Sequence, residues 1–174
     1  MTLRSMNTVL VSEPRPKQLF MYPDLCVGCH LCSYACSMVK FGELSKTKTA
    51  IRIVREAGKL EYPNFCIQCE DKTCMKYCPT DALVWNQVVG TVELLEERCI
   101  GCGICAIKCD YSAIQFLDRE VIKCNLCGGD PACVKYCPTE AIVYKDSSPE
   151  LEAEREAIAR SFLGHIKPVL QVTS

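Results

Sequence analysis

Apolar positions in this chain fall in short runs, each closed by a polar turn and then by cysteine. Two such runs lead into cysteine clusters: "QLFMYPDLC" (18–26) and "TVELLEERC" (91–99). Two others lead out of them. "CMKYCPTDALVW" (74–85) and "CVKYCPTEAIVY" (133–144) match almost residue for residue, an internal repeat ending in a β-like segment. Between Cys78 and Cys99 the pattern predicts a strand, a turn at Asn86–Gly90 and a second strand, with short helices opening at the cysteine motifs. Residues 1–17, with Pro14 and Pro16, read as a loosely ordered arm or an edge strand.

The last segment, 147–174, changes period. Leu151, Ile158 and Phe162 share one side of a helix, with Leu163 near it. Ser147 and Glu150 have capping-box spacing, Pro149 suits a first turn, and Gly164 and Pro168 are stop signals. A helix folded back on its own chain is favoured over one that docks a partner.

Composition adds sixteen cysteines in 174 residues, with 49% hydrophobic and 24% charged residues. The chain is therefore globular, and its thiols need an explanation. A secreted disulfide scaffold is disfavoured: the N-terminal stretch has no apolar core, cleavage site or twin arginine. No apolar run is long enough to span a bilayer, so a cytoplasmic protein without direct membrane insertion is expected. Net charge is −1, which gives no nucleic-acid footprint.

The cysteines form four motifs, 26–36, 66–78, 99–109 and 124–137. The first and third are C-x₂-C-x₂-C-x₃-C; the second and fourth carry "EDKT" and "GGDPA" before their third cysteine, inserts expected to bulge outward. One tight loop of this spacing wraps three corners of a [4Fe–4S] cube. In two-cluster ferredoxins the fourth cysteine serves the other cube. Applied to this chain, four [4Fe–4S] clusters use all sixteen thiols. Cys26, Cys29 and Cys32 take Cys137; Cys124, Cys127 and Cys133 take Cys36; Cys66, Cys69 and Cys74 take Cys109; Cys99, Cys102 and Cys105 take Cys78. So loaded, the chain would carry a net charge of about −9. Motifs two and three form the natural pair, with one and four closing around them. Pairing one with two and three with four sits less well with the long 36–66 and short 109–124 connections.

Gly28, Gly101, Gly103, Gly128 and Gly129 lie inside the wrapping loops, where their N–H groups can face sulfur. Pro79 and Pro138 restrict the cysteines before them. Tyr34, Tyr77 and Tyr136 are expected to pack on the clusters, His30 to neighbour one, and His165 to lie at the surface. Zinc ribbons also use C-x₂-C knuckles, but not the C-x₂-C-x₂-C-x₃-C run.

"CVGCHLCSYAC…FCIQCEDKTCMKYCPTDAL" and "CIGCGICAIKCDYSAIQF…VIKCNLCGGDPACVKYCPTEAI" resemble the four-cluster electron-transfer subunits of the dimethyl sulfoxide reductase family, over about residues 18–146. The opening stretch "CVGCHLCSYACSMVKFGELSKTKTAIRIV" is most similar to small subunits of tungsten-type aldehyde oxidoreductases. The resemblance implies an α+β fold of two interleaved ferredoxin-like domains, with hairpins and short helices around the cubes. The outer one would take 18–65 and 110–146, and the inner one 66–109. It also implies an electron-transfer subunit rather than an enzyme, serving a catalytic subunit with a tungsten or molybdenum pterin. A flavin subunit, a ferredoxin or further copies of the chain are other possible partners. A free polyferredoxin shuttle is the alternative reading, and a zinc-bound module a remote one. One departure is Asp110, which follows Cys109 where the family usually has proline. A carboxylate there either lowers its cluster's potential or simply turns to water.

Overall fold

The computed structural model describes residues 16–55, 61–162 and the backbone of 170–171. The fold is a mixture of short antiparallel strands and mostly short helices, as a ferredoxin-like iron–sulfur fold requires. Strand β1 (Gln18–Met21) leads through a turn into α1 (Leu31–Phe41). Then follow β2 (Ile51–Arg55), β3 (Glu61–Phe65), α2 (Thr73–Lys76), β4 (Leu83–Asn86), β5 (Thr91–Leu94) and α3 (Ile104–Ile107). The chain continues through β6 (Gln115–Leu117), β7 (Glu120–Ile122), α4 (Ala132–Lys135), β8 (Ile142–Lys145), α5 (Pro149–Ser161) and β9 (Leu170–Gln171).

Pairing joins both near and distant segments. β4 and β5 form the expected hairpin, Leu83 opposite Leu94 and Asn86 opposite Thr91. The Asn86 side-chain oxygen accepts from the N–H groups of Val88 and Val89, which fixes the turn. β1 pairs instead with β8, with Gln18 opposite Lys145 and Met21 opposite Ile142. The two copies of the repeat thus take different partners: α2–β4 uses the next strand in the chain, and α4–β8 uses the first.

The long 36–66 connection carries regular structure. It holds the β2–β3 hairpin, in which Ile51 faces Phe65. The connection from Cys109 to Cys124 holds a second hairpin, β6–β7, and β9 adds to it in parallel, Phe116 beside Leu170. The β-branched run Ile51–Val54 favours a strand. Pro63 is tolerated because a two-stranded sheet consists only of edges.

Two apolar cores result, and thiols belong to both. One gathers Leu19, Met21, Ile51, Phe65, Leu126 and Ile142 with Cys32 and Cys133. The other gathers Leu83, Val92, Ile114, Phe116 and Val121 with Cys74 and Cys105.

Helix α5 lies on its own chain. Arg155 and Ala159 are buried, Ile158 packs on the first core, and Phe162 stacks on Tyr62 with ring centroids 3.8 Å apart. Its cap is Ser148, not Ser147. Ser148 is extended, Pro149 takes the first helical position, and the Ser148 hydroxyl accepts from Leu151 N–H at 3.3 Å. Ser147 donates to Glu152 Oε1 at 2.6 Å. Ser148→Ala should therefore lower stability by about 1 kcal/mol, read as a shift in denaturation midpoint. Ser147→Ala, which leaves the cap in place, should cost less. Gly164, His165, Pro168 and the arm 1–15 lie outside the described residues.

Candidate metal centres

All sixteen cysteines are unbridged. Their loops share one backbone design. In each motif the residue before the second cysteine is left-handed: Gly28 (φ 64°), Gln68 (51°), Gly101 (60°) and Leu126 (55°). A further left-handed residue begins the next helix in three loops, His30 (62°), Lys72 (45°) and Gly103 (72°), and in the fourth Cys127, Gly128 and Gly129 are themselves left-handed. Such residues cost free energy when not glycine and persist where the surroundings demand them. At Gly103 a Cβ would press on the Phe116 ring at 3.1 Å.

A second recurring turn follows the fourth cysteine. Asp81, Ser112 and Glu140 are left-handed, each three residues beyond it. The next N–H donates back to sulfur, from Ala82 to Cys78 Sγ at 3.2 Å and from Ala113 to Cys109 Sγ at 3.4 Å. Thr80 and Thr139 hydroxyls stand 3.8 and 3.9 Å from Cys78 and Cys137 Sγ. Burial pushes the Cys78 thiol up, but the N–H groups of Thr80, Ala82 and Leu83 and the Thr80 hydroxyl outweigh it, and its pKa is lowered.

These loops bring thiols together in fours. Cys26, Cys29, Cys32 and Cys137 line one cavity, together with His30. Cys78, Cys99, Cys102 and Cys105 line a second; Cys66, Cys69, Cys74 and Cys109 line a third with Asp110. The three have nearly equal volumes of about 290, 310 and 300 Å³, mouths included. Cys36, Cys124, Cys127 and Cys133 line the fourth, a larger groove that also reaches Cys99. Cys133 is held protonated chiefly by burial and then by its neighbours Cys124, Cys36 and Cys127.

The sets adjoin one another in order. α1 carries Cys32 of the Cys26 set and, one turn on, Cys36 of the Cys124 set, and Cys133 feels Cys32. Cys124 feels Cys66 of the next set. α2 and the residues after it carry Cys74 of the Cys66 set and Cys78 of the Cys99 set; α3 and its exit do the same with Cys105 and Cys109. Of the sixteen, two are exposed: Cys29 in the Cys26 set and Cys102 in the Cys99 set.

Fit to a metal group follows from the donor chemistry. Four thiols line each cavity, one for each iron of a [4Fe–4S] cube. Thiols spaced about a volume suit a group that has its own bulk, as an iron–sulfur cube does. Burial pushes Cys32, Cys74 and Cys124 up to about 12 and Cys105 to about 11. A metal group held by these thiols would have to displace their protons. His30 Nδ1 is buried beside the Cys26 set without a partner in the protein, a polar atom left facing that site.

The residues match the 4Fe-4S dicluster domain over 65–118. The chain is 36% identical over 121 residues to the polyferredoxin-like subunit of an aliphatic sulfonate oxidoreductase from Pyrococcus furiosus, covering 68% of this chain and 70% of that one. It is 32% identical to an iron–sulfur protein of Rhodospirillum rubrum, covering 82% and 88%. The chain belongs to the polyferredoxin-like iron–sulfur proteins. Its function is electron transfer through [4Fe–4S] groups. The iron–sulfur subunit of the nitrate-inducible formate dehydrogenase of Escherichia coli is 31% identical, and this polyferredoxin-like chain spans 56% of its length. A solved structure titled as the BamBC active site complex of benzoyl-coenzyme A reductase is 21% identical, covers 84% of this chain and 91% of its own, and has a TM-score of 0.43. That likeness is too distant to support a statement about this polyferredoxin-like chain. No helix among the described residues is long and apolar enough to cross a membrane.

One expectation about neighbours is corrected. Tyr77 and Tyr136 do not pack on the sites but are 51% and 60% exposed, since each ends its short helix on the outer side. Asp110 has features of both of its readings. It is exposed, yet its Oδ2 accepts from Thr73 Oγ1 at 2.8 Å, and it raises the pKa of Cys69 after burial and Cys66 have done so. Asp110→Asn should raise the potential of the Cys66 set by tens of millivolts in a redox titration. Buried Gln68 was missed altogether. Its signal is its place between two cysteines where another loop has glycine.

Proposed function

We propose that the sixteen cysteines hold four [4Fe–4S] clusters in the four sets just described. On this reading the chain is an electron-transfer subunit of a cytoplasmic oxidoreductase complex. One observation carries it: four thiols line each cavity, and the order of the sets leaves a thiol exposed at either end. When bound, each cube takes up and gives back one electron. The chain's own work is to hold, shield and present. The left-handed loops turn N–H groups inward. The two cores pack against thiols of all four sets.

The two exposed thiols sit among exposed apolar side chains. Leu25, Val27 and Leu31 surround Cys29 in sequence, and Ile100 and Ile107 flank Cys102. These are faces for redox partners. The aliphatic sulfonate oxidoreductase and formate dehydrogenase subunits among the relatives support a catalytic subunit at one face. The similarity of the opening stretch to tungsten-type subunits supports a tungsten or molybdenum pterin in it. Anaerobic purification from the native source tests this: about sixteen iron and sixteen sulfide per chain and a co-purifying catalytic subunit are expected. A colourless protein with four zinc ions refutes the cofactor, and a chain that always purifies alone refutes the subunit role.

A further inference from the structure

Among the described residues two charged side chains are buried, Lys123 at 3% and Arg155 at 6% exposure, and both are cations. Neither is met by a carboxylate in its hydrogen bonds. Lys123 Nζ donates to Val92 O at 2.8 Å, Cys124 O at 3.0 Å and Gln68 Oε1 at 3.2 Å. Arg155 Nη1 reaches Gln18 Oε1 and Leu19 O, both at 3.5 Å, its Nε has no partner, and its guanidinium lies 5.2 Å from the Phe20 ring. A third cation, half-buried Arg52, donates to Ser112 O at 2.6 Å, in the turn after Cys109.

Two of the three are anchored on the turns of one set: Lys123 reaches Gln68, the residue before Cys69, and Arg52 reaches Ser112, three residues after Cys109. Their charges act on that set too, Lys123 on Cys74 and Arg52 on Cys109, while Arg155 acts first on Glu152 and then on Cys66 and Cys69. Carboxylates are present at the margin. Asp110 is held by Thr73, Glu156 by Tyr111 and Arg160, and Glu152 lies on the Arg155 side. Elsewhere the balance differs. The Cys124 set shares Lys123, the Cys26 set faces the Glu61 carboxylate, which lies over Gly28, and in the Cys99 set no cation is among the groups that shift Cys78 and Cys105.

A charge taken out of water is costly unless an opposite charge meets it in the same low-dielectric surroundings. For Lys123 and Arg52, whose hydrogen bonds go to uncharged oxygens, that countercharge is the thiolate-bound group itself, and Arg155 shares it with Glu152. The same fixed positive charge favours the arrival of one more electron. We infer that Lys123, Arg155 and Arg52 are potential-setting residues that make the Cys66 set the most easily reduced of the four, an interior station where an electron rests. This rests on the four-cluster reading above.

Potentiometric titration of the loaded chain, followed by electron paramagnetic resonance, tests it. In Lys123→Met, Arg155→Met and Arg52→Met the first signal to reduce should lose about tenfold in reduced-to-oxidised ratio at fixed ambient potential, which is 59 mV for one electron. Asp110→Asn should move that same signal the opposite way. Lys123→Arg should restore it, and Arg55→Met, which removes a charge that is 74% exposed, should leave it unmoved. If a core variant fails to load, Arg52→Met and Asp110→Asn decide. The inference is overturned if Asp110→Asn moves a signal that reduces later, or if the charge deletions leave the order unchanged. Iron and sulfide counts separate the two failures: a shortfall in the native chain sinks the four-cluster reading, and a full load without shifts sinks this inference alone.

Discussion

Chelating the iron from the anaerobic protein is expected to abolish its fold, with loss of the cooperative thermal transition and collapse of the far-ultraviolet dichroism. The effect is the whole stability of the chain, about 5–15 kcal/mol for a domain. Helices α2, α3 and α4 have four residues each. Isolated helices shorter than about 12 residues are marginal in water. Among the described residues three of the four sheets have two strands, and such pairs are also marginal alone. The apolar cores cannot make up the difference, because the buried thiols stand where hydrocarbon would otherwise fill them. The left-handed residues of the loops add strain that only the bound group offsets.

The pH dependence of the metal-free chain has a definite sign. Cys32, Cys74 and Cys124 sit near 12 when buried, against an ordinary 9.0. A metal-free fold keeps protons that an unfolded chain gives up, so any stability it has is present below pH 9 and lost as pH rises toward 12. A metal-free chain that still melts cooperatively, and does so equally at pH 7 and pH 10, would contradict both statements.

Ending the chain after Asp146 should lower stability by roughly 4–6 kcal/mol, a fall in melting temperature of about 10–20 °C. α5 is not an appendage. Its removal uncovers Tyr62, which is 1% exposed in the native chain, and takes Ala159 and Ile158 from the first core. It also breaks the Tyr111 hydrogen bond to Glu156 Oε1 at 2.5 Å. Phe162→Ala alone should cost about 1–3 kcal/mol through the stack on Tyr62. If the shortened chain kept its melting temperature and lost only a partner, the helix would be a docking element instead.

Features encoded within a few residues were legible in the sequence. Cysteine spacing is one, because a loop that wraps a compact group needs its ligands close together. The Asn86–Gly90 turn is another, and so is the helical period of 149–161. What escaped depends on contacts between distant segments. The β2–β3 hairpin was not foreseen because the residues between its strands carry no turn dipeptide. β6 and β7 are three residues each, too short for alternation to register. Lys123 and Arg155 look like ordinary surface charges in the sequence. Nothing local says that Val92, Gln68 and Leu19 will close over them. Ser148 displaced Ser147 as the cap for a local reason: the residue before Pro149 is pushed into an extended conformation, as a cap residue must be.

The pairing of β1 with β8 has a consequence in time. As the polypeptide leaves the ribosome, the thiols of the Cys66 and Cys99 sets are all synthesised once Cys109 has appeared. Those at Cys26, Cys29, Cys32 and Cys36 have already emerged by then, yet their companions Cys124 and Cys137 have not. The earliest-made sulfurs are thus the last to be enclosed, and they are the ones that need guarding from oxidation while they wait.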